Sequence, residues 1–336
     1  DRSWNVVSTP HTVELMPAEG SGCRNYQGPA WYRKHFVLPA ETKGQRVVLH
    51  FEAAMGKQIL YLNGKRIQEH LGGYLPFTLD LTANGVQAGD SCLLAVFTDN
   101  SDDKSYPPGK RQYTLDFAYH GGIYRDVWMI AKSPVAITDA IDSQIVGGGG
   151  VFVHFDKISD KSAQVYVNTE VQNDDTRSES VTVETTLTDA DGKVIKRSSG
   201  KLSLKPGEKK SIRQQMEVKN PTLWSPDTPY LYRVQSRIKK GNKSIDGGIT
   251  RVGIRLAEFR GKDGFWLNGK PFGQLVGANR HQDFAYVGNA LPNSQQWRDA
   301  KRLRDVGCTI IRVAHYPQDP AFMDACDELG LFVIVA

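Results

Sequence analysis

The chain has 336 residues, of which 40% are hydrophobic and 24% are charged, close to the averages for soluble globular proteins. This length exceeds one ordinary domain, so we expect two or three domains, each with its own hydrophobic core. The net charge of +5 comes from 42 basic residues scattered among 37 acidic ones, and no apolar run approaches the ~18 residues of a membrane span, so neither nucleic acid nor a membrane is an expected partner.

The cysteines are few and widely spaced, and no pair has the C-x-x-C spacing of a metal or redox site. They are too sparse for a disulfide framework in a chain of this size. We therefore expect neither metal clips nor a dense disulfide network among Cys23, Cys92, Cys308 and Cys326.

The first region, residues 1–134, consists of short runs of alternating polarity separated by turn residues. Val47, Leu49 and Phe51 fall on one face of such a run, which predicts a strand packed on one side only. Asn63-Gly64 stands between two further runs and predicts a hairpin, because both turn residues must accept a positive φ. This region is predicted to be a β-sandwich.

The second region, residues 135–253, again shows short strands at the spacing of an immunoglobulin-like sandwich, and its ~100 residues are typical of that fold. Turns are predicted at residues 191–192 and 205–207. Trp224 is predicted to pack at an edge of this sandwich in a structural role. The alternating residues are Val165, Val167, Thr169 and Val171 in one run and Val181, Val183 and Thr185 in the next.

The pattern changes in the third region, residues 254–336, where residues 274–278 predict a buried strand. Asn293 is expected to cap the following helix, with Gln296 completing a capping box. The helix should turn one face inward, formed by Trp297, Ala300 and Leu303.

Residues 308–314 predict a second buried strand and residues 331–336 a third. Between them, Asp319 and Pro320 predict the start of a helix that ends at Gly330. Alternating strands and helices with apolar strands are typical of a parallel α/β sheet, and ~80 residues are too few to close a barrel of about 250. We expect the start of an incomplete barrel and poor stability for this piece alone, since its last strand has unpaired backbone groups.

Polar residues follow the strands of this third region, where the ligands of parallel barrels bind. Asn279 and His281 are expected after the first strand and His315 after the second, facing one opening. Arg312, inside the second strand, is a candidate to orient a carboxylate or a purely structural residue. A single histidine at a strand end is commonly an ordinary surface residue, and two could bind zinc, but no third ligand has a recognisable spacing.

Residues 277–283 and 312–317 contain the motifs G-x-N-x-H and R-x-x-H-Y-P. They resemble the motifs at the first two barrel strands of glycoside hydrolase family 2, and the resemblance covers essentially the whole chain. Residues 28–36, 62–65 and 72–77 resemble the sugar-binding jelly roll of that family. The resemblance implies a jelly roll, an immunoglobulin-like domain and the start of a TIM barrel, in that order.

The stretch 116–127 is similar to the family's G-I-x-R-D-V segment. The resemblance implies that Asp116 reaches from the jelly roll into the pocket and binds sugar hydroxyls. Without the motif, Asp116 would be interpreted as a solvated turn residue. Arg125 and Asp126 are expected to form a structural pair that anchors the loop.

The resemblance also implies that His281 and His315 bind the glycone while Asn279 and Arg312 shape the pocket floor. The acid and the nucleophile would be glutamates beyond Ala336, so this chain alone should be inactive. Its carboxylates on the second barrel helix are expected outside the mouth, as poor substitutes: Asp324, Asp327 and Glu328.

The resemblance implies retaining hydrolysis of a β-glycoside, with an oligo- or polysaccharide substrate and no required cofactor. The barrel segment most resembles β-galactosidases, with β-glucuronidase and β-mannosidase as alternatives. A non-catalytic carbohydrate-binding protein is the alternative from another class, although it would have no use for part of a barrel. A sodium or magnesium ion near Asp116, a homo-oligomer and the compartment stay open. The start at Asp1 suits a processed secreted chain or a trimmed one. The resemblance favours a periplasmic or secreted bacterial protein over a cytoplasmic one.

Overall fold

A computed structural model describes residues 3–14 and 25–336 of the chain. In chain order, these residues form two antiparallel β-sandwiches and then a region that contains a parallel sheet with two helices. Cys23 lies outside the described residues, and the other three cysteines are buried free thiols.

The first sandwich pairs a four-stranded sheet, in the order β1-β6-β3-β4, with a three-stranded sheet, in the order β5-β2-β7. Val47, Leu49 and Phe51 of β2 enter the core between the sheets, as their alternation predicts. The strands are β1 (Pro29–Val37), β2 (Arg46–Phe51), β3 (Lys57–Leu62), β4 (Lys65–Leu71), β5 (Phe77–Asp80), β6 (Ser91–Asp99) and β7 (Val127–Lys132).

The prediction that β2 packs on one side only is wrong, because its other face meets the next domain. Val48 on that face is also buried. Beside it, Arg46 forms ion pairs with Asp142 at 3.5 Å and with Asp174 at 3.8 Å, both from the second sandwich. A face that looks solvent-exposed in the local pattern is therefore covered by a neighbouring domain.

The predicted hairpin between β3 and β4 is confirmed. Asn63 has φ 50° and Gly64 has φ 82°, so both turn residues adopt the left-handed backbone that this tight turn requires. The Asn63 side chain also accepts a hydrogen bond from the backbone N–H of Leu93 at 2.8 Å, which ties the turn to β6.

The second sandwich pairs the sheet β13-β10-β8, with β9 also on β10, with the sheet β12-β11-β14-β15. The predicted alternating residues of β10 and β11 are buried, and the predicted turns contain Gly192 and Gly207 with positive φ. The elements are β8 (Val135–Ile137), α1 (Ala140–Ser143), β9 (Val151–Asp156), β10 (Ser162–Asn173), β11 (Glu179–Thr188), β12 (Val194–Leu204), β13 (Lys209–Lys219), β14 (Tyr232–Lys240) and β15 (Lys243–Val252).

Trp224 has the structural role that the sequence predicts, and it connects two domains. Its side chain is fully buried, and its indole Nε1 donates to the backbone carbonyl of Asp327 at 2.9 Å. Its ring also packs edge-on against Phe332 at 5.3 Å. The second sandwich is thereby fastened to the third region.

The third region begins with a small antiparallel sheet, β16-β17-β18, and continues with the parallel sheet β19-β20-β21. Two helices cover one face of the parallel sheet, with Phe322 and Ala325 packed against Ile311 and Val313. The elements are β16 (Ala257–Phe259), β17 (Phe265–Leu267), β18 (Lys270–Pro271), β19 (Gly277–Arg280), α2 (Asn293–Asp305), β20 (Ile310–Val313), α3 (Pro320–Leu329) and β21 (Phe332–Val335).

The start of α3 is as predicted, whereas the start of α2 is not. Asp319 caps α3 by accepting from the backbone N–H of Ala321 at 2.8 Å, and Gly330 ends the helix with φ 77°. Asn293 is inside α2, and its amide donates to Asp126 of the first sandwich at 3.0 Å instead of capping.

The predicted inward face of α2 is also partly wrong. Ala300 is fully buried, but 40% of Trp297 is exposed. Gln296, the expected partner in the capping box, is buried and accepts from Arg280 at 2.8 Å. Tertiary partners outcompete the local cap here because a buried guanidinium requires acceptors.

Candidate functional site

Two histidine rings meet at the carboxyl end of the parallel sheet. His281 directly follows β19, and His315 lies two residues beyond the end of β20. Because β19 and β20 are parallel and in register, their carboxyl ends lie side by side. The two ring centroids are 5.5 Å apart with an angle of 71° between the planes.

The first sandwich contributes a third ring to this pair. Phe117, which is buried, stacks on His281 at 5.3 Å with an angle of 21° and contacts His315 at 5.7 Å. Asp116, the preceding residue, is exposed and close enough for its charge to act on His281. One loop of the jelly roll therefore brings Asp116 and Phe117 to the ends of two barrel strands.

Asn279 and Arg312 are direct neighbours on β19 and β20. Asn279 is exposed and Arg312 half-buried, whereas the alternate residues Arg280 and Val313 are buried. The pair thus lies on the sheet face opposite the helices. The prediction that Asn279 follows the first strand is wrong: β19 starts three residues later than expected, and Asn279 lies within it.

The loop that carries Asp116 is held by a hydrogen-bond network around Asp102. This carboxylate accepts from the backbone N–H of Gln112 at 2.9 Å, from Gln27 at 2.8 Å and from the hydroxyl of Tyr119. The amide of Asn100 donates to the backbone carbonyl of Tyr119 at 3.0 Å. These contacts fix both ends of the segment that contains Asp116 and Phe117.

The predicted pair of Arg125 and Asp126 does not form. Arg125 is buried and donates to the Gln282 side chain at 3.1 Å and the Pro317 carbonyl at 2.7 Å, with Asp319 at 4.0 Å as its ionic partner. Asp126 instead accepts from Asn293. Arg125 therefore joins the first sandwich to both barrel segments that carry the histidines.

Burial lowers the pKa of His281, and the charges of Asp283 and Asp116 oppose that effect in part, while His315 adds to it. His281 is consequently neutral near pH 7, where an imidazole has one donor and one acceptor nitrogen. Burial also raises the pKa of Tyr316, whose hydroxyl stays protonated beside it. The site combines a neutral imidazole with the exposed polar side chains of Asp116 and Asn279, and such hydrogen-bonding groups suit a polyhydroxylated ligand.

Within residues 3–14 and 25–336, no three His, Cys, Asp or Glu side chains are grouped so that they could hold a metal ion. In the same residues, no helix has the length and apolar character needed to cross a membrane. Two carboxylates of α3, Asp324 and Glu328, both pair with Arg251 of the second sandwich.

Phe117 and Tyr316 belong to the site although their individual roles were not predicted. Both lie in motifs that the sequence singles out, beside Asp116 and His315 respectively. The signal in the sequence is an aromatic residue next to a polar one within a motif, and this signal does not identify which rings the aromatic residue contacts. Those partners come from distant parts of the chain.

Three models of one family match nearly the whole chain. The sugar binding domain of glycosyl hydrolases family 2 matches residues 7–134, a second model of that family matches residues 149–255, and its TIM barrel domain matches residues 259–336. The chain therefore belongs to glycosyl hydrolase family 2.

The names of the relatives refer to two different sugars. A β-galactosidase of Thermoanaerobacter pseudethanolicus is 34% identical over 99% of this chain and 42% of its own length. A β-glucuronidase of Formosa agariphila is 31% identical over 100% of this chain and 35% of its own length. The chain thus spans less than half the length of these relatives.

Two solved structures have the same fold over the described length. A putative β-galactosidase from Bacteroides fragilis superposes with a TM-score of 0.89 at 32% identity, covering 98% of this chain and 48% of that one. Bacteroides uniformis β-glucuronidase 2, covalently bound to cyclophellitol-6-carboxylate aziridine, gives 0.87 at 31% identity, covering 99% and 39%.

Proposed function

We propose that the complete protein hydrolyses β-glycosides with retention of configuration and that its glycone is galactose. The observation that carries this proposal is the meeting of His281, His315 and the Asp116–Phe117 segment at the carboxyl ends of two parallel strands. A site built from two domains, with hydrogen-bonding side chains from both, fits the hydroxyl groups of a pyranose.

Each predicted site residue has a proposed role in this pocket. His281 and His315 bind glycone hydroxyls and stabilise the transition state. Asp116 accepts hydrogen bonds from hydroxyls at the jelly-roll side. Asn279 and Arg312, neighbours on the open face of the sheet, form the floor of the pocket.

The chemical step would use two carboxyl groups ~5.5 Å apart, one as acid and one as nucleophile. Both are proposed to be glutamates from barrel strands outside these 336 residues. The covalent adduct of the Bacteroides uniformis relative supports a nucleophilic mechanism. No cofactor takes part in this reaction, and an ion beside Asp116 would serve binding.

The test is hydrolysis of nitrophenyl β-galactoside by the complete protein, with the anomeric configuration of the first product followed by NMR. We expect turnover with retention, and none from the 336-residue chain alone, because both acid and nucleophilic catalysis would be missing. Inversion, or turnover by the 336-residue chain above a heat-treated control, would contradict the mechanism.

The relatives named β-glucuronidase make glucuronate the second candidate glycone. Parallel assays with nitrophenyl β-glucuronide and β-mannoside decide between the sugars through the ratio of kcat/KM values. A higher kcat/KM for the glucuronide would replace galactose in the proposal. Carbohydrate binding without turnover of any of the three would favour a non-catalytic role.

A further inference from the structure

The hydrogen bonds that His281 can make depend on which of its two ring nitrogens bears the proton. In a neutral imidazole, one nitrogen donates and the other accepts, and the hydrogen bond made by one nitrogen decides the state of the other. In this structure, the Tyr316 hydroxyl lies 3.5 Å from Nδ1 of His281. Whether that hydroxyl donates to Nδ1 therefore determines which nitrogen of His281 can donate to a ligand.

The Tyr316 hydroxyl has a single acceptor within reach of its proton among the described residues. Its oxygen already accepts a hydrogen bond from the backbone N–H of Gln282 at 3.3 Å, and only 2% of the surface of the residue is exposed. The large majority of buried side-chain polar atoms have a hydrogen-bond partner. Among the hydrogen bonds of the described residues, Nδ1 of His281 is the acceptor within reach of this proton.

The two rings are also held in place from the jelly-roll side. Phe117 stacks on His281 with only 21° between the planes, which limits rotation of the imidazole. Tyr74 stacks on Tyr316 at 4.4 Å with an angle of 5°. The Tyr74 hydroxyl is buried without a hydrogen-bond partner among the described residues, so it does not compete for His281.

We infer that Tyr316 is a positioning residue that holds His281 in the tautomer with an unprotonated Nδ1. Nε2 then bears the proton and is the nitrogen free to donate to an oxygen of the ligand. Phe117 fixes the plane of the imidazole ring, and Tyr316 fixes which ring nitrogen bears the proton. The inference extends the proposed function, and it rests on that function only for its effect on turnover.

The tautomer is measured directly in the 336-residue chain with ¹⁵N-labelled histidine, using long-range ¹H–¹⁵N correlation at pH 7.5 and assigning His281 from the spectrum of His281→Gln. We expect His281 to have a protonated Nε2. Tyr316→Phe should lower the ratio of the two tautomers about fivefold, which corresponds to one ordinary hydrogen bond. Tyr74→Phe removes a hydroxyl from the same cluster without touching His281, and it should leave the ratio unchanged.

A protonated Nδ1 in the unmutated chain overturns the inference, and this result needs no variant to fold. An unchanged ratio in a folded Tyr316→Phe chain also overturns it. Folding is checked through the cross-peaks of the other seven of the 8 histidines.

In the complete protein, Tyr316→Phe should lower kcat/KM about fivefold and change its pH profile on the acidic side, whereas Tyr74→Phe should match the unmutated enzyme. Equal kinetics of the two variants would end the positioning role. If no β-glycoside is hydrolysed at all, the proposed function fails, and the tautomer measurement still decides the inference about Tyr316.

Discussion

At the scale of single residues, burial makes several histidines resist protonation. It lowers the pKa of four of them, and for His70 and His11 burial is the sole cause. The His70 ring stacks on Phe77 at 4.3 Å, and its Nε2 has no hydrogen-bond partner in the described part of the chain. The other three are His11, His120 and His281.

These shifts predict that the chain loses stability as the pH falls below about 6.5, the pKa of an unfolded histidine. The folded pKa values are lowered, so the unfolded chain binds more protons between the two values, and the free energy of unfolding decreases there. His70→Phe keeps the stacked ring without the titration. The variant should lose less stability than the unmutated chain between pH 7.5 and 5.5.

The measurement is urea unfolding at several pH values, with up to ~1.4 kcal/mol per pH unit expected from each full proton. The same substitution at the exposed His35 of β1 is the matched control. Parallel pH dependence of His70→Phe and the unmutated chain would show that His70 is not the cause.

At the scale of secondary structure, β19 approaches β20 so closely that position 277 has no room for a side chain. A Cβ atom on Gly277 would lie 1.6 Å from the carbonyl oxygen of Ile310, a backbone atom that cannot move away alone. Gly277→Ala should therefore destabilise the parallel sheet by about 3 kcal/mol or more.

Gly248→Ala is the control for that substitution, since Gly248 also lies in a strand and its Cβ would meet no atom within 4 Å. This change should alter the free energy of unfolding by less than ~1 kcal/mol. Hydrogen exchange of the β20 amides is the local readout. Similar exchange in both variants would contradict the close approach of β19 and β20.

At the scale of the whole molecule, Arg125 couples the first sandwich to the barrel segments. It is 3% exposed and faces Asp319, which is 2% exposed. Burial raises the pKa of Asp319, and the charge of Arg125 opposes that effect. Arg125→Met would leave a buried carboxylate without its cation, at an expected loss of about 3–5 kcal/mol of unfolding free energy.

The double variant Arg125→Met/Asp319→Asn should recover part of that loss, because Asn removes the lone charge and still caps α3. The measurement is differential scanning calorimetry of the 336-residue chain. The expected sign of lost coupling is a separate unfolding transition of the first sandwich. A single variant as stable as the unmutated chain would mean that Arg125 does not hold the domains together.

Features with a local origin could be predicted from the sequence. The hairpin at Asn63-Gly64, the cap of α3 by Asp319 and the burial of alternate residues in β10 depend on neighbours a few residues apart. The positions of His281 and His315 followed from the order of strands and helices. In each case, backbone geometry and side-chain periodicity act over one turn or one strand.

Only the tertiary structure decided which distant groups meet. Arg125 bonds Gln282, 157 residues away, instead of its neighbour Asp126, and Asn293 bonds Asp126 instead of capping its own helix. Phe117 likewise stacks on His281, which belongs to another domain. Local patterns do not encode such partners, because they arise when buried polar groups and rings must be satisfied at the contacts between domains.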